Sequence, residues 1–232
     1  MDTWRRWFLY SSALVASSLV LPAYTLAEQA KTAKKVDEKE GEEDVSTNED
    51  LMREHGVLNR ILLIYDESLR RIQSRDKNAA FDPDVLTESA GLIKKFIEDY
   101  HEKLEENYLF PRFEKAGKLV DLVKTLRAQH AAGRTVTDRI LASVKSKDLE
   151  TAGASLAAFI HMYRPHEARE DTVLFPALHD IVSRHEYDAL GEQFEDIERK
   201  TFAGDGFDMA VDQVTDLEKR LGIYDLAQFT PK

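Results

Sequence analysis

The sequence predicts an all-α protein, an up-down-up-down four-helix bundle with a C-terminal helical hairpin packed on it. Three observations predict this. Apolar residues recur at spacings of three, four and seven, with no convincing run of alternating strand residues. Helix start and stop signals stand at Asp82-Pro83, Gly117 and Asp148. Finally, an ungapped block repeats inside the chain, from His101 to Pro111 and again from His166 to Pro176.

The first bundle helix starts at a capping signal, Thr47 with Asp50 or Ser46 with Glu49. Its stripe is Leu51, His55, Leu58, Leu62, Leu69 and Ile72. Asp82 caps the second helix and Pro83 occupies its first turn, with Leu86, Ile93, Ile97, His101 and Leu104 inward. Gly117 separates it from a third helix carrying Leu119, Val123, Leu126, His130, Thr137 and Leu141. The fourth runs from Asp148 and turns Leu149, Ala152, Leu156, Phe159, Tyr163, His166 and Glu170 inward. Pro111 and Pro176 are expected to end or kink the helices that hold them. A capping box at Ser183 and Glu186 opens the hairpin, whose stripes are Leu190, Phe194, Ile197 and then Phe207, Ala210, Val214, Leu217, Leu221. The tail, Gly222 to Lys232, holds Ile223, Tyr224, Leu226 and Phe229 and is expected to dock on the bundle.

Ahead of the bundle, residues 1–27 read as an export signal. Arg5-Arg6 precede an apolar stretch, and Thr25-Leu26-Ala27 offers small residues before a cleavage point. The stretch is about 16 residues and stops at Pro22, short of the roughly 20 that span a bilayer. No stable membrane anchor is therefore expected after cleavage. Arg5-Arg6-Trp7-Phe8-Leu9 resembles the twin-arginine signal, which implies a periplasmic protein that acquires its cofactor before export. Residues 28–47 form a charged linker, residues 48–182 the bundle, and residues 183–232 the helical extension.

Composition narrows the chemistry. The 232 residues carry 43 Asp and Glu against 32 Lys and Arg, a formal charge of -11, which argues against a nucleic-acid surface. With no cysteine there are no disulfides, thiolate sites or Fe–S clusters, so any metal must use His, Asp and Glu. No Gly-rich nucleotide loop, haem motif or nucleophile constellation is present.

The repeat has the form His-Glu-x-x-Glu-acid-x-x-Leu-Phe-Pro. Positions four apart share a helix face, so His101 and Glu105 point together, as do His166 and Glu170. His55 and His130 lie in the apolar stripes of their own helices, and all four histidines fall at similar depth. Buried carboxylates that face one another repel unless a strong positive charge sits between them. A nitrogen and oxygen donor set of this kind suits iron, manganese or zinc. Two central carboxylates can bridge two ions while the histidines complete each shell. His161, His179 and His185 are read as lying outside the site.

These residues resemble the hemerythrin-type, His-His-Glu cation-binding family. The similarity runs from Arg53-Glu54-His55 through His101-Glu102-x-x-Glu105 and Gln129-His130-x-x-x-Arg134 to His166-x-x-x-Glu170…Leu174-Phe175-Pro176. The resemblance implies a four-helix bundle around a bridged non-haem centre of two Fe ions, placed ahead of Mn or Zn. It implies Glu105 and Glu170 as bridges and His55, His101, His130 and His166 as terminal ligands. Arg134 stands where oxygen-carrying members have another histidine. In the iron-sensing branch a glutamate directly after the second-helix histidine makes up the ligand set, and Glu102 holds that place. Arg134 is placed to pair with Glu102, and Tyr108 and Tyr163 lie on the ligand faces as candidates to tune the centre.

Three functional classes follow. The first is a diiron protein that binds or senses O2 or a small oxidant. The second is a diiron redox enzyme, a peroxidase or a nitric-oxide-handling activity, served by a redox donor. The third is an iron-binding or storage module. Sensing would further require a protein partner.

Overall fold

The computed structural model describes residues 45–74 and 81–231. The segment expected to be an export signal, and nearly all of the expected charged linker, lie outside the described residues.

Helix α1 (Thr47–Gln73) starts where Ser46 Oγ accepts the Glu49 backbone N–H at 3.3 Å, which places the cap on the second of the two predicted signals. It buries Leu51, His55, Leu58, Ile61, Leu62 and Tyr65. Asp82 caps helix α2 (residues 83–116) by accepting from the N–H groups of Asp84 and Val85, and Pro83 sits in the first turn. Gly117 closes α2 in the left-handed region at φ 66, where only a residue without Cβ rests unstrained. Helix α3 (Val120–Ser146) follows Leu119 and ends at Lys147. Asp148 caps helix α4 (residues 149–178) by accepting the Thr151 N–H.

Of the two outcomes the sequence allows, an end or a kink, neither Pro111 nor Pro176 ends its helix; an irregular turn stands before each instead. In α2 the π-helical turn Glu105–Leu109 precedes the α segment Phe110–Ala116, and the Phe110 N–H bonds back to the Glu105 carbonyl. In α4 the π turn Glu170–Leu174 precedes Phe175–Leu178, with the Phe175 N–H on the Glu170 carbonyl. Each proline thereby falls in the first turn of a new α segment, where its missing N–H costs nothing. A further π stretch, Ile93–His101, lies upstream in α2. The sequence repeat is thus also a repeat of backbone shape.

The bundle core is aliphatic and aromatic, with Phe96, Phe110, Phe113, Phe159 and Phe175 fully buried. Ile140 takes the buried position in α3 that Leu141 only partly fills, and Leu149 is exposed at the start of α4. Helices α5 (Arg184–Phe202) and α6 (Gly206–Leu221) form the hairpin. Ser183 caps α5, as the sequence predicts. The hairpin is tied to α1 by polar contacts as well as by packing. Tyr187 Oη accepts the Asn48 N–H at 2.9 Å, and Arg60 donates to Glu218 at 2.6 Å and to Thr215 at 2.7 Å.

Only the first residue of the apolar tail docks: Ile223 packs against the core, whereas Tyr224 and Phe229 are each 51% exposed and Leu226 is 79% exposed. Among the described residues no helix is long and apolar enough to cross a membrane.

Candidate metal centre

Four helices each bring one histidine to a single layer of the core. His55 comes from α1, His101 from α2, His130 from α3 and His166 from α4, and none is more than 4% exposed. Two glutamates, Glu105 and Glu170, reach the same layer and are completely buried.

These six residues sort into two trios, His55/His101/Glu105 and His130/His166/Glu170. Within the first, the Nε2 atoms of His55 and His101 lie 3.0 Å apart; within the second, those of His130 and His166 lie 3.2 Å apart. Each glutamate also reaches across. Glu105 Oε2 is 3.8 Å from His101 Nε2 and 3.4 Å from His130 Nε2. Glu170 Oε2 is 3.0 Å from His166 Nε2 and 3.5 Å from His55 Nε2. Donors bound to a first-row metal at about 2.1 Å and at right angles to each other would lie about 3 Å apart, the spacing seen here.

The donor set fits a cation on two further grounds. Both carboxylate oxygens of Glu105 and both of Glu170 are buried without a hydrogen-bond partner. Burial and the facing Glu170 push Glu105 well above the usual carboxylate range. For Glu170 burial acts in the same direction, but His166, His55 and His130 outweigh it and hold the group at about 2. Without a cation the facing carboxyls therefore do not both ionise; a cation between them removes that restriction.

The outer nitrogen of every histidine is held by a residue from a neighbouring helix. Glu54 on α1 takes His101 Nδ1 at 2.5 Å, and Glu106 on α2 takes His130 Nδ1 at 3.2 Å. Gln129 on α3 takes His166 Nδ1 at 2.9 Å, and Asp171 on α4 takes His55 Nδ1 at 2.7 Å. The four contacts form a ring in which each helix holds the histidine of the next. An acceptor on Nδ1 fixes the proton there and leaves the Nε2 lone pair facing inward, as ligation requires. Burial also keeps His101 and His130 below the ordinary histidine range, whereas at His55 burial is outweighed by Asp171 and Glu170, which raise it. Phe175 stacks on His55 with centroids 5.4 Å apart and Phe110 on His130 at 5.5 Å, which shields the layer from water.

Glu102 is buried beside this layer but lies in neither trio. Its Oε1 accepts from Tyr163 Oη at 2.7 Å and its Oε2 from Arg134 at 2.5 Å. It falls instead into a third grouping, with Glu106 and His130. The anticipated Arg134–Glu102 pair is therefore present, and Arg134 also reaches Glu106 at 2.7 Å. Tyr163 lies at the site, edge-on to His166. Tyr108 does not, because it turns to α5 and packs against Phe194. His161, His179 and His185 are exposed, with His179 against Tyr187.

The ring of Glu54, Glu106, Gln129 and Asp171 escaped the sequence reading. One signal was available, since each is the immediate sequence neighbour of a candidate ligand.

Comparison with known proteins agrees with this geometry. Residues 46–178 match the model of the Hemerythrin HHE cation binding domain. An uncharacterised protein of Mycobacterium tuberculosis is 52% identical over 198 residues, covering 83% of this chain and 76% of the relative. An uncharacterised protein of Mycobacterium bovis matches to the same extent. No solved structure matches the chain. With its two interleaved His/His/Glu trios in a four-helix bundle, the chain belongs to the hemerythrin HHE cation-binding domain family.

Proposed function

We propose that this is a non-haem diiron protein that binds or senses O2 or a small oxidant and works in the periplasm. One observation carries the reading of two ions: Glu105 and Glu170 each stand between histidines of both trios, as bridging carboxylates must. His55, His101, His130 and His166 would supply the terminal ligands. When bound, the iron pair would supply the electrons for reaction with an oxidant. Glu54, Glu106, Gln129 and Asp171 hold the imidazoles in position, and the Phe110 and Phe175 rings exclude water.

Glu102 is proposed as a further carboxylate of the centre, held at its edge by Tyr163 and Arg134. Its grouping with His130 supports a role on the His130/His166 side. For the location, Arg5-Arg6, the apolar stretch and Thr25-Leu26-Ala27 support export through a cleaved signal.

Metal analysis of anaerobically purified protein tests the reading. Two irons per chain are expected, and Glu170→Ala should lose both because it removes a shared ligand. One metal per chain at saturation, or retention of two by the variant, would overturn the diiron assignment.

A further inference from the structure

We propose that the two metal positions are unequal and fill in order. A divalent cation enters the His55/His101/Glu105 position first and tightly, and the His130/His166/Glu170 position second and more weakly. The inference rests on the two-ion reading and deepens it.

The donor sets do not distinguish the positions, since each has two imidazoles and one glutamate. The residues around them do. The contacts of this layer repeat when α1 is exchanged with α3 and α2 with α4. Glu54, one residue before His55, holds His101 at 2.5 Å, as Gln129, one residue before His130, holds His166 at 2.9 Å. Asp171, five residues after His166, holds His55 at 2.7 Å, as Glu106, five residues after His101, holds His130 at 3.2 Å. Four residues after His55, Asn59 donates to Glu167 at 2.8 Å; four residues after His130, Arg134 donates to Glu102 at 2.5 Å.

Three of these equivalent pairs differ in charge, all in the same direction. Glu54 is matched by the neutral Gln129, the neutral Asn59 by Arg134, and Ala168 by Lys103, which donates to Glu106 at 2.6 Å. Around the first trio, Glu54, Asp171 and Glu167 have no Lys or Arg paired with them among the described residues; Arg53 pairs with Asp50 and Arg164 with Asp66. Around the second trio, Arg134 pairs with both Glu102 and Glu106, and Lys103 pairs with Glu106 as well. Burial raises Glu54 on one side and Glu102 on the other alike, to about 8, so it does not decide between the sides.

Both differences act on a cation. A carboxylate on the outer nitrogen makes an imidazole a stronger donor than an amide does. His55 and His101 each have a carboxylate there. In the second trio only His130 has one, and that carboxylate is shared with Arg134 and Lys103. Unpaired negative charge within a few ångströms also attracts the ion directly, and the guanidinium beside the second trio opposes it. For Glu102 to approach an ion in the second position it must give up its bond to Arg134.

Titration of the metal-free full-length protein with Co2+ against a competing chelator, followed by absorbance, tests the order. Two steps should be resolved, with affinities about 10–100-fold apart. Anomalous diffraction from crystals holding one Co2+ per chain should place the ion among His55, His101 and Glu105. Asp171→Asn keeps an acceptor for His55 and removes its charge, so it should weaken the first step by about tenfold and leave the second. Arg134→Gln keeps a donor for Glu102 and removes the positive charge, so it should strengthen the second step and bring the two together. Lys103→Gln, at a side chain 42% exposed, should do the same to a smaller extent. The proposal is overturned by equal affinities in the parent, by a first ion among His130, His166 and Glu170, by an Asp171→Asn that weakens only the second step, or by a second step unchanged in both Arg134→Gln and Lys103→Gln. A parent that saturates at one ion would instead count against the two-ion reading, and the place of that ion would still decide which trio binds more tightly.

Discussion

Gly133 on α3 stands against the hydroxyl of Tyr163 on α4: a Cβ at position 133 would lie 2.0 Å from Tyr163 Oη. The missing side chain lets the hydroxyl pass α3 and donate to Glu102. Gly133→Ala should therefore displace a ring that is stacked on Phe159 at 4.3 Å and has no slack. The expected cost is about 1–3 kcal/mol of stability. Denaturant unfolding of the metal-free protein measures it, and an unchanged midpoint would show that Tyr163 moves freely.

Replacing Glu102 should differ from replacing Glu167, its equivalent in the repeat. Glu167 is also buried but accepts from Asn59 at 2.8 Å, away from Arg134. Glu102→Ala should weaken iron retention or slow oxidation of the reduced protein by air, while Glu167→Ala should do little. Iron content after dialysis against a chelator separates the two. Equal behaviour would remove Glu102 from the centre.

The reduced protein should be oxidised by O2 in one direction, to a stable oxidised form. Arg134 occupies a position from which no ligand can come, and Glu102, if bound at the centre as proposed, would add a carboxylate that favours the higher oxidation state. Stopped-flow optical spectra should show a change that evacuation does not reverse. Reversal under vacuum would restore simple oxygen carriage.

The ring around the histidines should control affinity. Gln129→Leu leaves His166 Nδ1 without an acceptor and should weaken metal binding by about 10–100-fold. Gln129→Glu keeps an acceptor and should retain most of it. Competition against a chelator of known strength gives both values.

Asp50→Asn should stabilise the metal-free protein as pH rises. Burial and Glu54 raise the folded-state value of Asp50 from 3.8 to about 7. A raised carboxyl costs stability once the unfolded chain ionises, so the penalty grows above pH 3.8 and levels off above about 7. The melting-temperature gain of the variant should follow that window. A gain independent of pH would assign it to packing.

If residues 1–27 direct export, the mature protein should begin at Glu28 and be recovered from the periplasm. Changing Arg5 and Arg6 to Lys should trap the precursor. N-terminal sequencing that finds Met1 on exported protein would reject cleavage.

Much of this was legible in the sequence because its signals are local. Ser46, Asp82, Asp148 and Ser183 cap the helices they announce, and the four-residue spacing of His101 to Glu105 and His166 to Glu170 sets two ligands on one face. What escaped depends on neighbours in space. A proline can end a helix or be absorbed by a wider turn, and packing around Pro111 and Pro176 decides which. The wider turn also changes direction along the helix, so Tyr108 leaves the ligand face that regular spacing gives it. The contacts from Glu54 to His101 and from Asp171 to His55 need the relative height of two helices, which spacing within one helix does not carry.

The ring that holds the histidines runs once around the bundle and returns to its start. A closed circuit has no free end from which to unzip. Drawing any one helix outward breaks two contacts together, the one it gives and the one it receives, and exposes a histidine on each side. Partial opening of this layer is therefore penalised twice over. The four helices should part as a unit or not at all, and a cation seated among them would be released in a single step.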